Sequence, residues 1–304
     1  MLARAYEAFG GWLLEAARSA QRRAVRAEIK QHRDKRGRIT PYLECGRARG
    51  EAATIVWVHG FSDEPENFMD TARGLADGYR IVAPALPGFS GWVDRNERHT
   101  LDAYVGWLDE IVHDLGGERF HLMGNSLGGA IAIAIAAADR GAHVASLVPV
   151  NSAGVDIVGV RSVNDEMRDG SNLFNVQDRA GYDRLMKRLF AKLPYIPGPV
   201  RAVTISRLSG LAQWYDRILS DMLESAVLEA GEGVTTMADL SSIEVPTLVV
   251  WGALDSLFPL AHAQHLARAI PKVKLEVFEG VGHCLHIECP ARLASTAKAF
   301  FDAL

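Results

Sequence analysis

Short apolar runs recur along the chain: Ile55-Val56-Trp57-Val58, Ile81-Val82-Ala83-Pro84, His121-Leu122-Met123, Leu147-Val148-Pro149-Val150, Leu248-Val249-Val250-Trp251 and Leu275-Glu276-Val277-Phe278. All but the last lack polar alternation, the pattern of strands buried on both faces, whereas Leu275 to Phe278 alternates and suits an edge. Helical patterns lie between them. Leu101, Tyr104, Val105, Leu108, Ile111, Val112 and Leu115 keep a helical period and stop at Gly116-Gly117, a glycine end signal. Strand and helix alternating in this way predict an α/β fold with a mostly parallel sheet flanked by helices.

The alternation breaks between Val155 and Leu240. Tyr182 to Phe190 and Leu211 to Leu228 have helical spacing, Leu193 to Pro199 is a Pro-rich turn, and no strong strand is visible. The predicted organisation is a basic helical segment over residues 1–38, a core made of residues 39–154 and 241–304, and a helical cap over residues 155–240.

Leu2, Tyr6, Phe9, Leu13 and Ala16 or Ala17 recur at helical spacing, so the start predicts an amphipathic helix followed by a more basic stretch. Residues 1–38 hold ten Lys or Arg against Glu7, Glu15, Glu28 and Asp34, in a chain whose net charge is -4. Such a helix usually packs its apolar stripe on the protein body or on another subunit of a homo-oligomer. The other reading is peripheral contact with an anionic membrane surface.

The whole chain has 304 residues, 48% apolar and 23% charged. Those proportions exclude disordered, collagen-like and strongly basic nucleic-acid-binding proteins. The run from Gly128 to Ala138 falls short of the roughly 20 apolar residues of a spanning helix. Cys45, Cys284 and Cys289 are odd in number and lack CxxC spacing, which argues against a disulfide framework or a zinc site and for a reducing, cytoplasmic setting. Met1 to Glu7 has no clean apolar stretch of a secretory signal, so none is expected.

Gly124-Asn125-Ser126-Leu127-Gly128-Gly129 follows one apolar run and precedes the helical Ala130 to Ala138. This is G-x-S-x-G in a strand-turn-helix context, where a sharp turn lifts a serine hydroxyl clear of the sheet. Glycines around a serine also make ordinary tight turns; the flanking strand and helix set this one apart. A nucleophilic serine needs a base, and the base needs an orienting carboxylate. Asp255 follows the Leu248 to Trp251 run and His283 follows the Leu275 to Phe278 run, so Ser126, Asp255 and His283 come in the order this elbow requires. Each alone is compatible with a plain loop residue. His286 belongs to a short helical or turn segment, His59 braces a strand end, and Cys284 lacks an elbow and reads as packing. His59-Gly60-Phe61 follows the first buried run, so the backbone N–H groups of Phe61 and Leu127 are the expected oxyanion donors.

These motifs, with Pro87-Gly88-Phe89, Trp251 to Asp255, and Gly282-His283 followed by Glu288 and Pro290, resemble the α/β-hydrolase superfamily over roughly residues 40 to 304. Within it the chain is most similar to bacterial carboxylesterases and lipases of the monoacylglycerol lipase-like group. The resemblance implies a Ser-His-Asp hydrolase of small-molecule esters, a helical cap forming the acyl pocket, and no cofactor. The same Gly-Asn-Ser-x-Gly-Gly occurs in relatives that hydrolyse carbon–carbon bonds of ring-fission products, the alternative chemistry. A binding protein using the pocket without turnover is the alternative class, although such proteins tend to damage the triad. Leu173, Phe174, Phe190, Leu193, Tyr195, Ile196, Trp214 and Tyr215 are the cap residues expected either to line an apolar acyl site or to form the cap's own core.

Overall fold

The computed structural model describes residues 2–35, 37–89, 97–116, 119–225, 228–231 and 233–304. The first half contributes α1 (Leu2–Ala24), β1 (Glu28–Arg33), β2 (Ile39–Gly46), β3 (Thr54–Val58), α2 (Met69–Ala72), β4 (Arg80–Pro84), α3 (Leu101–Gly116), β5 (Phe120–Asn125), α4 (Leu127–Asp139) and β6 (Val144–Val150). Next come β7 (Val155–Ile157), α5 (Val163–Arg168), α6 (Arg179–Leu189), α7 (Gly198–Leu223), β8 (Leu228–Gly231) and β9 (Val234–Thr236). The chain returns to the core with β10 (Thr247–Gly252), α8 (Leu260–Ala269), β11 (Val273–Phe278), α9 (Leu285–Glu288) and α10 (Pro290–Phe301).

Eight strands form one sheet in the order β1-β2-β4-β3-β5-β6-β10-β11. β1 and β2 join it antiparallel, and the remaining pairs are parallel. Every residue of β3, β4, β5 and β10 is buried, because helices cover both faces, while edge strand β11 is mostly half-buried. Alternate side chains of β3 enter opposite cores. Val56 and Val58 join Leu108, Ile131 and Leu266 of α3, α4 and α8; Ile55 and Trp57 join Met69, Leu285 and Leu293 of α2, α9 and α10. The order reverses at β3, which has β4 on one side and β5 on the other, and crevices at such a point open at the carboxyl ends of the strands.

The structure corrects two boundaries and the make-up of the inserted segment. The N-terminal helix stops at Ala24, and Glu28–Arg33 is the outer strand of the core sheet rather than part of a helical segment reaching residue 38. The inserted segment is not purely helical, since β7, β9 and β8 form a small antiparallel sheet. Helix α7 begins at Gly198, well before Leu211, because the Pro-rich turn supplies Pro197 at the N-cap and a proline in the first turn. Helix α3 ends at Gly116; Gly117 lies outside the described residues.

The N-terminal stripe also turns the unexpected way. Tyr6, Phe9, Ala16 and Ala17 are exposed, and Leu13 is half-buried; the side chain of Leu2 is outside the described residues. Among the described residues, no helix is long and apolar enough to cross a membrane.

Candidate active site

The carboxyl end of the sheet gathers the residues nominated from the sequence. Phe61 follows β3, Ser126 follows β5 with Leu127 opening α4, Asp255 follows β10, and His283 follows β11. Ser126 has φ 55° and ψ -120°, a backbone state that costs a side-chain-bearing residue about 1–3 kcal/mol. Its neighbours hold it there. Ser126 N–H donates to Val150 O at 3.0 Å, and Ser126 O accepts from Ala130 N at 3.1 Å and Ala153 N at 3.0 Å. The turn is tight enough that a Cβ on Gly124 would lie 2.3 Å from Gly128 O, and one on Gly128 would lie 2.1 Å from Val58 O.

Asp255 and His283 are both buried, and His283 Nδ1 lies 2.8 Å from Asp255 Oδ2. The other carboxylate oxygen, Oδ1, accepts the N–H groups of Leu257 at 2.8 Å and Phe258 at 3.1 Å. Both oxygens are thus held by donors, which fixes the His283 proton on Nδ1 and leaves Nε2 as the basic nitrogen. Ser126 and His283 line one cavity. The loop after β3 approaches from the far side: a Cβ on Gly60 would stand 3.2 Å from Ser126 Cβ. Leu127 N–H sits at the first turn of α4, where helix geometry offers it no internal acceptor.

His59 braces that loop. It accepts Leu86 N–H on Nε2 at 2.9 Å and donates from Nδ1 to Gly60 O at 2.9 Å, and burial pushes its pKa down, so it stays neutral. Cys284 is buried and its thiol is pushed well up by desolvation, the opposite of an activated nucleophile. His286 is buried against Trp57 and lies 3.3 Å from Asp63. Burial would raise the Asp63 carboxyl, but the His286 and His59 imidazoles and the Asn67 amide together outweigh that and hold it at about 2.

Two asparagines were not nominated for a role from sequence. Asn151, at the end of β6, has φ 42° and is wholly buried. Its Nδ2 donates to Gly282 O and His283 O at 2.8 Å each, and its Oδ1 accepts Gly252 N–H at 2.8 Å. One side chain therefore clasps the His283 loop to the strand end that leads to Asp255. Asn125 adds a longer donation to His283 O at 3.4 Å. Asn151→Ala leaves Gly252 N–H and Gly282 O without this partner and His283 O with only the longer Asn125 bond, an expected loss of about 1–3 kcal/mol. It should lower kcat about tenfold or more at little changed KM, because orientation rather than binding is lost. Asn151→Gly keeps the positive φ and should fail equally; wild-type kcat in the glycine variant would refute the clasp.

Two cavities meet at Ser126, Phe61 and Phe174. The narrower, about 80 Å³, is lined by Leu127, Met167, Leu219, Met222, Met237 and Leu257. The wider, about 360 Å³, reaches His283 and Phe190 and is lined further by Ile196, Leu14, Glu64 and Arg207. Of the expected cap residues, Phe174, Phe190 and Ile196 face these spaces. Leu193 and Tyr195 instead point to solvent. Trp214 donates to Gly88 O at 2.8 Å, Tyr215 packs on Phe61 and Phe89, and Leu173 packs on the core. Among the described residues, no group of His, Cys, Asp and Glu is arranged to hold a metal ion.

A family model for the alpha/beta hydrolase family matches residues 55–296. The chain belongs to that family. Lipase 1 of Psychrobacter immobilis is 30% identical to this alpha/beta hydrolase over 268 residues, spanning 86% of this chain and 80% of the relative. A monoacylglycerol lipase of Xenopus laevis is 24% identical, over 86% of this chain and 80% of its own. Among solved structures, a membrane phospholipase A, a bacterial virulence factor, superposes with a TM-score of 0.85 at 24% identity, covering 97% of this chain and 92% of that one. A meta-cleavage product hydrolase from Pseudomonas fluorescens IP01 gives 0.71 at 22% identity, over 90% and 97%. At such identities the superpositions speak to the fold alone.

Proposed function

We propose that this alpha/beta hydrolase is a serine carboxylester hydrolase acting on esters with an apolar acyl chain, such as acylglycerols. The observation that carries the reading is Ser126, held at positive φ in a cavity shared with His283, whose Nδ1 is bound by Asp255. In this mechanism His283 Nε2 takes the Ser126 proton as Oγ attacks the ester carbonyl carbon. The N–H groups of Phe61 and Leu127 stabilise the developing oxyanion, and Asp255 stabilises the imidazolium. His283 returns the proton to the leaving alcohol, and the same base then activates water to release the acyl group.

The two cavities suit unequal halves of such a substrate. Met167, Met222, Met237, Leu219 and Leu257 give the narrow one a mainly apolar, adaptable wall fit for an acyl chain, with Asp156, Asn164 and Arg168 also in its lining. The wider one is also mainly apolar, through Leu185, Phe190, Ile196 and Leu208, and Arg18, Glu64, Asn67 and Arg207 add the polar groups an alcohol portion would meet. The lipase names of the sequence relatives support an ester substrate.

A series of p-nitrophenyl esters from acetyl to palmitoyl tests this directly. kcat/KM should peak at one acyl length and fall by about tenfold or more on either side, about 1.4 kcal/mol of transition-state binding. A flat profile would refute acyl selection. Turnover of a ring-fission diketone with no turnover of any ester would replace the reading with carbon–carbon hydrolysis, and turnover of neither would leave a binding protein.

A further inference from the structure

Helix α1 is built inside out for a helix that lies on a protein surface. Its inner side carries Gly10, Leu14, Arg18 and Gln21. The backbone of α7 passes so near that a Cβ on Gly10 would lie 2.0 Å from Pro199 O. Arg18 pairs with Glu64, Gln21 donates to Asp70 at 3.0 Å, and Arg22 lies 3.5 Å from Glu66. The outer side carries Ala5, Ala8, Phe9, Trp12, Ala16 and Ala20, all exposed. Phe9 is 52% and Trp12 63% exposed, and their rings stack 5.9 Å apart. A surface helix ordinarily turns such aromatic rings inward.

Helix α1 also borders the wider cavity through its inner side. Leu14 and Arg18 of α1 line that cavity together with Pro194 and Ile196, and between and beside the latter two stand Leu193, 50% exposed, and Tyr195, 91% exposed. Tyr6, itself half exposed, lies against Gly198 just beyond that loop. Exposed cations accompany these groups: Arg4 and Arg23 on α1, Arg26 just after it, and Lys192 next to Leu193. Glu15, the exposed acid of the same face, is bound by Arg22.

We propose that this face, Phe9 and Trp12 of α1 with Leu193 and Tyr195 of the cap, docks on a bilayer containing anionic phospholipid. Helix α1 then lies in the plane of the interface with its aromatic rings at headgroup depth, and the arginines and Lys192 meet lipid phosphates. A second copy of the chain is the poorer occupant, because twofold pairing would set these exposed cations against their copies. The docking stands independently of the hydrolase reading; only the corollary, that substrate enters the cavity from the membrane, rests on it.

The test is co-sedimentation of the full chain with phosphatidylcholine vesicles and with equimolar phosphatidylcholine–phosphatidylglycerol vesicles. The mixed vesicles should capture the protein, neutral vesicles should capture less, and added salt should weaken capture. A Phe9→Ser/Trp12→Ser/Tyr195→Ser variant should lose about tenfold or more of its vesicle affinity. Its kcat/KM on a soluble short-chain ester should equal wild type, showing an intact fold. Capture of the variant equal to wild type, or no capture of wild type by either vesicle, would overturn the proposal. So would a wild-type dimer that the variant dissociates without any vesicle binding. Vesicle capture without ester turnover would uphold the docking and count against the hydrolase reading alone.

Discussion

Ser126→Ala is expected to cut kcat/KM for a p-nitrophenyl ester by at least about a thousandfold while the protein still folds. Among the described residues, no hydrogen bond of the hydroxyl supports the elbow; the turn is held by backbone bonds to Val150, Ala130 and Ala153. What remains after the substitution is the oxyanion site and the binding cavity, which alone give only residual rate enhancement. A fluorophosphonate probe should add to Ser126 in the wild type, detected by peptide mass spectrometry, and to no residue of the variant. Ser126→Gly should be equally inactive and more stable by about 1 kcal/mol, because glycine tolerates φ 55°. Full activity in the alanine variant, or probe addition elsewhere, would remove Ser126 from the role of nucleophile.

The central strands were legible because nothing competes with their signal. β3, β4, β5 and β10 are buried on both faces, so their sequences are unbroken apolar runs whose ends mark the strand ends. In a parallel sheet those ends share a side, which is why the order of the runs alone puts Ser126, Asp255 and His283 at one end of the sheet. β1 was illegible for the opposite reason. Glu28 to Arg33 contains one buried residue, His32, and the strand exists through pairing with β2 rather than through an apolar face of its own. The cap strands span three or four residues each, too short for a period to register.

Asn151 shows a second limit. Nothing in Val150-Asn151-Ser152 marks it, since its partners Gly252, Gly282 and His283 are distant in sequence. An asparagine directly after a buried apolar run is nevertheless a recognisable cue, because Asn is among the few side chains that accept positive φ. Helix α1 misled in its orientation. Apolar spacing records only that a stripe exists. Which side it faces was decided by Gly10 admitting the α7 backbone and by Glu64, Glu66 and Asp70 drawing Arg18, Arg22 and Gln21 inward.

Asp255→Asn should reduce kcat by about ten-thousandfold, the scale of a wrong-tautomer substitution. The reason lies in the three donors around the carboxylate. Leu257 N–H and Phe258 N–H both point at Oδ1, so an amide at this position keeps its oxygen there. Its NH2 must then face His283 Nδ1, where Oδ2 stands now at 2.8 Å. An NH2 is a donor, so Nδ1 has to become the acceptor and the ring proton moves to Nε2. A protonated Nε2 cannot take the Ser126 proton, although every heavy atom is in place. The loss should therefore fall on kcat with KM little changed, and thermal denaturation should move far less than activity. Proton NMR of the wild type should show a strongly downfield Nδ1–H that the variant lacks. An Asp255→Asn variant within tenfold of wild-type kcat would show that Asp255 does not set the tautomer of His283.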